Sequence, residues 1–179
     1  ERLSEEDPVL QDMTECMLHA RRTLYEEFQK CHRLVMQIAR EDEVCLRFMT
    51  VPGVGPVTAL SFKSCIDDPG RFRRSKTVGA HLGLTPKRFQ SGTVDYNSRI
   101  SKCGDPETRW LLVEAGNSIL SNVRTWSVLK AWGMRLQKRL GHRRAAVALA
   151  RKLSVILHRM WLEGSTFMPS NADLKARAI

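Results

Sequence analysis

Leu3, Leu10, Met17, Leu24, Cys31 and Ile38 recur at intervals of seven, and no glycine interrupts residues 9 to 48. A seven-residue apolar period is that of a helix packing against another helix in a coiled coil. The second seam, three residues on, holds Met13, Ala20 and Leu34 but is broken by Glu6, Glu27 and Glu41. The pattern predicts one long helix over about 9–48. A helix of that length with one apolar stripe needs a partner. A second copy of the chain and an intramolecular hairpin both satisfy that need, so a homo-oligomer through residues 9–48 is one of two expectations.

Val51-Pro52-Gly53-Val54-Gly55-Pro56-Val57-Thr58-Ala59-Leu60 ends this arm and opens a helix expected over Val57–Ile66. Gly53 and Gly55 permit positive φ and close approach to another molecule. The unpaired N–H groups of a helix start attract phosphate. The decapeptide therefore reads as the hairpin of a helix-hairpin-helix element gripping nucleic-acid backbone, or as a tight inter-helix turn with no ligand.

Charge separates the two parts. Residues 1–50 hold 7 Lys/Arg against 11 Asp/Glu, whereas the whole chain of 179 residues carries +10. A basic domain on an acidic arm is expected to meet a polyanion through the domain. Five cysteines, odd in number and without C-x-x-C spacing, imply reduced thiols in a cytosolic protein, and no metal site is expected from them or the scattered histidines. No apolar run approaches a membrane span. The sequence shows no signal peptide and begins without Met, which reads as a portion of something longer.

Beyond the pivot the chain reads as helical. Asp67-Asp68-Pro69-Gly70 is a turn, and Ser75 is expected to cap a short helix ending at Gly83. Residues 87–104 lack a helical period and read as a long loop or loose hairpin. They carry Lys87, Arg88, Arg99 and Lys102 with Phe89 and Tyr96, and a loop this long is usually functional. Asp105-Pro106-Glu107 is a helix start, with that helix running to about Val123, another over Thr125–Arg139, and a break at Gly141. The last helix, about His142–Glu163, sets Ala146, Leu149, Leu153, Ile156, Leu157 and Met160 on one face and Arg144, Arg151, Lys152 and Arg159 on another. Such a basic stripe is a solvated face or a track for nucleic acid. The expected architecture is all-α: a coiled-coil arm over 1–50, a compact helical domain with one long functional loop over 51–165, and a frayed tail over 166–179.

Val51-Pro52-Gly53-Val54-Gly55, Phe72, Gly83-Leu84-Thr85-Pro86, Ser91-Gly92, Ile100-Ser101-Lys102-Cys103-Gly104-Asp105, Arg109 and Leu112, in this order and spacing, resemble the C-terminal domain of the DEDD insertion-sequence transposases. The Piv-type DNA invertases are related, and some members are guided by a bridge RNA. The resemblance covers roughly residues 50–165, and residues 1–48 look like part of the family's coiled coil. It implies a missing N-terminal RuvC-like domain, whose four acidic ligands are expected to hold Mg2+, with no cofactor in this portion. It also implies a bacterial, cytoplasmic, nucleoid-associated recombinase acting on DNA, with a guide RNA as a further partner and no membrane. This portion alone is expected to be inactive.

By the same resemblance a serine attacks a DNA phosphate, and the serine at the matching place is Ser91. Thr93-Val94-Asp95 follow where the family usually has glycine and lysine, leaving Ser98, Ser101 and Tyr96 as other candidates. The residue types suit the chemistry: a hydroxyl attacking phosphate needs cations around the non-bridging oxygens, and Lys87, Arg88, Arg99 and Lys102 are near in sequence. It also needs flexible backbone, which Gly92 supplies, and a base, for which only Asp95 is close. Gly53, Gly55, Lys87, Arg88, Arg99, Lys102, Arg144, Arg151, Lys152 and Arg159 are the expected nucleic-acid contacts. A helix-hairpin-helix DNA-binding module without chemistry, and a scaffold built on the coiled coil, are the competing readings.

Overall fold

The computed structural model describes residues 8–91 and 93–169, with the backbone alone at Val94, Asn97 and Ser98. Its contacts divide the chain after Ile38 into two units. The first is the helix α1 (Pro8–Glu41) as far as Ile38. Its seven-spaced residues Leu10, Met17, Leu24 and Ile38 are exposed, as are Met13 and Leu34 of the second seam.

The predicted single helix over 9–48 is in fact two. Asp42 adopts extended backbone (φ −92°, ψ 116°) and caps a new helix, α2 (Glu43–Phe48), its carboxylate accepting from the Cys45 N–H at 2.9 Å. Lys63 pairs with the same carboxylate from the next helix. A cap with a long-range ion pair thus outweighs the helical propensity of the flanking glutamates. Burial pushes the Asp42 carboxyl up, but hydrogen bonds from Lys63 and Cys45 and the charge of Lys63 outweigh it and hold the group below its usual value.

The second unit is a helical domain. After α2 a tight turn, closed by Val51 N–H to Phe48 C=O (3.0 Å) and Val54 N–H to Val51 C=O (3.0 Å), leads to α3 (Pro56–Ile66), with Gly55 at its N-cap. Two 3-10 turns and the short α4 (Val78–His81) follow. Ser75 does not cap this segment; its hydroxyl instead meets Nδ1 of the buried His158 at 3.0 Å, while Nε2–H of that ring donates to the Pro69 carbonyl. The helices α5 (Pro106–Ser121), α6 (Val128–Leu140) and α7 (His142–Glu163) complete the domain. Asp105 caps α5 as its sequence predicts, accepting from Thr108 N–H at 2.5 Å. Ser127, rather than Thr125, opens α6.

The core forms where α7 lies on α5 and α6. Leu112, Ile119, Leu149, Leu153 and Leu157 are fully or almost fully buried there, each worth roughly 1.5–3 kcal/mol relative to exposure. Small residues allow the close approach: a Cβ on Gly116 would lie 2.6 Å from the Ala146 carbonyl oxygen. Residues 165–169, expected to fray from 166, return to the domain: Phe167 N–H donates to Thr50 Oγ1 (2.9 Å) and Val128 N–H to Pro169 C=O (3.0 Å). The tail from 170 onward lies outside the described residues.

The region 87–104, expected as a long loop or loose hairpin, is an antiparallel hairpin of β1 (Pro86–Ser91) and β2 (Val94–Ile100). Its pairs are Ser91 with Val94, Gln90 with Asp95, Phe89 with Tyr96 and Arg88 with Asn97, with a bulge between there and Pro86–Ile100. Otherwise the described residues are helical or irregular, in keeping with the all-α expectation. No described helix is long and apolar enough to cross a membrane.

Candidate nucleic-acid interface and the Ser91 hairpin

The foot of the hairpin is fixed by backbone packing. Gly83 (φ 67°) follows α4 and Gly104 (φ 81°) follows β2. A Cβ on Gly83 would overlap the Cys103 backbone, and one on Gly104 would overlap the His81 carbonyl oxygen. Only glycine permits both the left-handed backbone and the contact. Ser101 N–H donates to Thr85 C=O (2.8 Å) and Lys102 N–H to Gly83 C=O (3.1 Å). Arg109, on α5, reaches the carbonyls of Leu82 (3.3 Å), Cys103 (3.2 Å) and Gly104 (3.5 Å) through one terminal nitrogen. The residues Gly83, Gly104 and Arg109 thus form a socket for both strand ends.

Two adjoining cavities open beside that socket, sharing Pro86, Ile100 and Val147. One, about 810 Å3, is lined by Arg99, Lys102, Arg143 and Arg144. The other, about 460 Å3, has the apolar residues Leu84, Ala148 and Val155 with Trp132, and the cations Lys76, Arg151 and Lys152. Lys152 Nζ lies 5.6 Å from the centre of the Trp132 ring. Seven cations face this groove and no carboxylate lines it among the described residues. Low-dielectric walls bearing one sign of charge concentrate the field.

The fold therefore brings together five of the expected contacts: Arg99, Lys102, Arg144, Arg151 and Lys152. Lys76, Arg143 and Trp132 are additional. The sequence does carry a signal for Arg143: with Val147, Arg151 and Val155 it forms an i, i+4 series on α7. Arg159 lies apart, near the end of α7, paired with Glu163 at 3.1 Å. Gly53 (φ 84°) turns inward, where a Cβ would lie 2.8 Å from the Ala115 carbonyl oxygen, so its close approach is to α5. Gly55, by contrast, has open space where a Cβ would go.

On the hairpin itself, alternation puts Lys87, Phe89 and Ser91 on one face of β1 and Arg88 and Gln90 on the other. Ser91 is exposed at the tip. Arg88 binds Asp95 with two hydrogen bonds, Nε to Oδ1 at 2.9 Å and a terminal nitrogen to Oδ2 at 2.7 Å. The hydrogen bond from Arg88 holds the Asp95 carboxyl below its usual value. Asp95 is therefore occupied, and it lies opposite Gln90, on the face away from Ser91. Gly92 lies outside the described residues, as does the side chain of Ser98, while Ser101 sits at the foot and Tyr96 stacks on Phe89. The five cysteines are free thiols, and no cluster of three metal-binding side chains occurs among the described residues.

These features define a basic helical domain with a groove lined by seven cations and, among the described residues, no carboxylate, with a hairpin rooted beside it. Residues 45–132 match the transposase IS116/IS110/IS902 family, and the chain belongs to that family as an insertion-sequence transposase C-terminal region. It is 34% identical over 131 residues to the transposase for insertion sequence element IS1111A of Coxiella burnetii, covering 73% of this chain and 36% of that protein. It is 29% identical over 145 residues to the transposase for insertion sequence element IS1328 of Yersinia enterocolitica, covering 80% of this chain and 43% of that one. The chain thus spans well under half the length of these relatives.

Proposed function

We propose that this chain is the DNA-gripping and nucleophile-bearing portion of a transposase or recombinase that cleaves and rejoins DNA strands, acting with a RuvC-like domain. The observation that carries this reading is the exposed Ser91 on a hairpin rooted in the wall of a groove with seven cations. The groove holds the sugar–phosphate backbone without reading bases. Pro86 lines both cavities, and five residues of strand at about 3.3 Å each place Ser91 about 17 Å away.

In the reaction Ser91 Oγ attacks phosphorus, forming an Oγ–P bond as one P–O bond to sugar breaks. The serine proton passes to a base and the departing sugar oxygen gains a proton. One ester replaces another, so the reverse step rejoins the strand. With Asp95 held by Arg88, the base comes from outside the hairpin, as does the Mg2+ expected in the RuvC-like domain. Gly55 at the start of α3 offers a second backbone contact of helix-hairpin-helix type. An RNA backbone suits the same groove, so a guide RNA is a further proposed partner, and the exposed seam of α1 would join copies of the chain.

The test is covalent capture of DNA by a protein in which this chain is joined to its RuvC-like domain. Wild type should yield an adduct that survives denaturation, and Ser91→Ala should not. DNA binding with no adduct in either would favour the non-catalytic module.

A further inference from the structure

We infer that Phe89 and Tyr96 form a stacking surface for an unpaired DNA base beside Ser91, so that the hairpin acts on locally opened DNA. This rests on the reading of the hairpin as facing DNA. The two rings are direct cross-strand partners, stacked at 5.3 Å between centroids and 20° between planes. Yet 47% of Phe89 and 55% of Tyr96 remain exposed. The other close aromatic pairs of the domain meet edge-to-face, including Phe48 with Phe62 and with Trp161 in the core. Among the described residues no third ring packs against the hairpin pair.

Its position gives the exposure a use. Ser91 is two residues beyond Phe89 on the same face, about 6.6 Å along the strand. That is about two base-pair rises of duplex DNA at 3.4 Å each. Lys87 lies two residues before Phe89 on that face, so a cation, an aromatic ring and a hydroxyl follow in a row. Cation and ring together are the elements that hold single strands, the ring stacking on any base and the cation meeting phosphate. A paired base has its faces covered by neighbours and offers nothing to the rings, whereas an extruded one does.

A cross-strand aromatic pair also stabilises its own hairpin, so the experiment must separate the two roles. Phe89→Val with Tyr96→Val keeps strand-forming side chains and removes both ring faces, while Tyr96→Phe keeps them. The 179-residue chain is titrated with a duplex bearing one unpaired 2-aminopurine and with the same duplex fully paired. Wild type and Tyr96→Phe should bind the unpaired form about 5-fold or more tighter and quench its fluorescence. The double variant should lose the preference and the quenching, keep its affinity for the paired duplex, and be cut by trypsin at Lys87 and Arg88 no faster than wild type.

Equal affinity of wild type for both duplexes would overturn the inference while leaving the groove reading intact. So would a double variant that keeps the preference, or one that weakens on both duplexes alike. Absence of binding to either duplex by wild type would overturn the inference and the DNA reading together.

Discussion

Gly104 packs against the carbonyl of His81 so closely that no side chain fits between them. The contact ties the exit of β2 to the end of α4, and with Gly83 it fixes where the hairpin leaves the domain. Gly104→Ala adds a steric clash to a left-handed backbone. It should cost about 2–4 kcal/mol in urea unfolding, from about 1–2 for the backbone and the rest from overpacking.

The pivot glycines should separate in the same assay. Gly53→Ala meets the Ala115 carbonyl at positive φ and should destabilise by about 2–4 kcal/mol. Gly55→Ala, at φ −95° with open space around it, should cost less than about 1 kcal/mol. Only the second can report on phosphate binding without unfolding the protein. An equal cost at both positions would contradict the packing of the turn on α5.

Acid should act through Asp42 and Asp105. Both carboxyls are held below their usual 3.8, Asp105 chiefly by the hydrogen bond from Thr108. A depressed folded-state value means the unfolded chain takes up protons first as pH falls. Their stabilisation is therefore complete above about pH 3.8 and is lost as pH drops through the folded values. Asp42→Asn should flatten the fall in stability measured by denaturant titration between pH 5 and 2, an interval of roughly one unit either side of carboxylate titration. An unchanged slope would mean that the pairing with Lys63 contributes nothing.

Binding to DNA should weaken with salt at a log–log slope of about −0.9 per phosphate neutralised. Arg144→Ala, in the groove, should lower affinity for all sequences alike and reduce the slope by about 0.9. Arg159→Ala, outside the groove and paired with Glu163, should leave the slope unchanged. Matching effects from the two would dissolve the distinction between groove and flank.

The helix ends of the domain were legible where the signal is local. Asp105-Pro106 opens α5, and Gly141 (φ 82°) separates α6 from α7. The end of α1 was not legible, because Asp42 stands among helix-compatible glutamates and its partner Lys63 comes from another helix. The hairpin was half legible: its lack of helical period showed, but the Phe89–Tyr96 and Arg88–Asp95 pairs exist only once the register is set. The groove is built from residues between Lys76 and Val155, on separate elements. Five of its seven cations are among the contacts expected from the sequence, Lys76 and Arg143 are not, and their meeting place could not be read there. At Gly53 positive φ and close approach look alike in a sequence whether the neighbour is a ligand or another helix, and the structure shows α5 as one such neighbour.

If Ser91 becomes joined to DNA, mass spectrometry of the covalent complex reads the bond itself. A protein carrying this chain together with its RuvC-like domain would be incubated with its DNA, denatured and digested. A nucleotide mass is expected on the peptide containing Ser91, and it should disappear in Ser91→Ala with DNA affinity retained. A nucleotide on Ser98, Ser101 or Tyr96, or an adduct that persists in Ser91→Ala, would contradict the assignment.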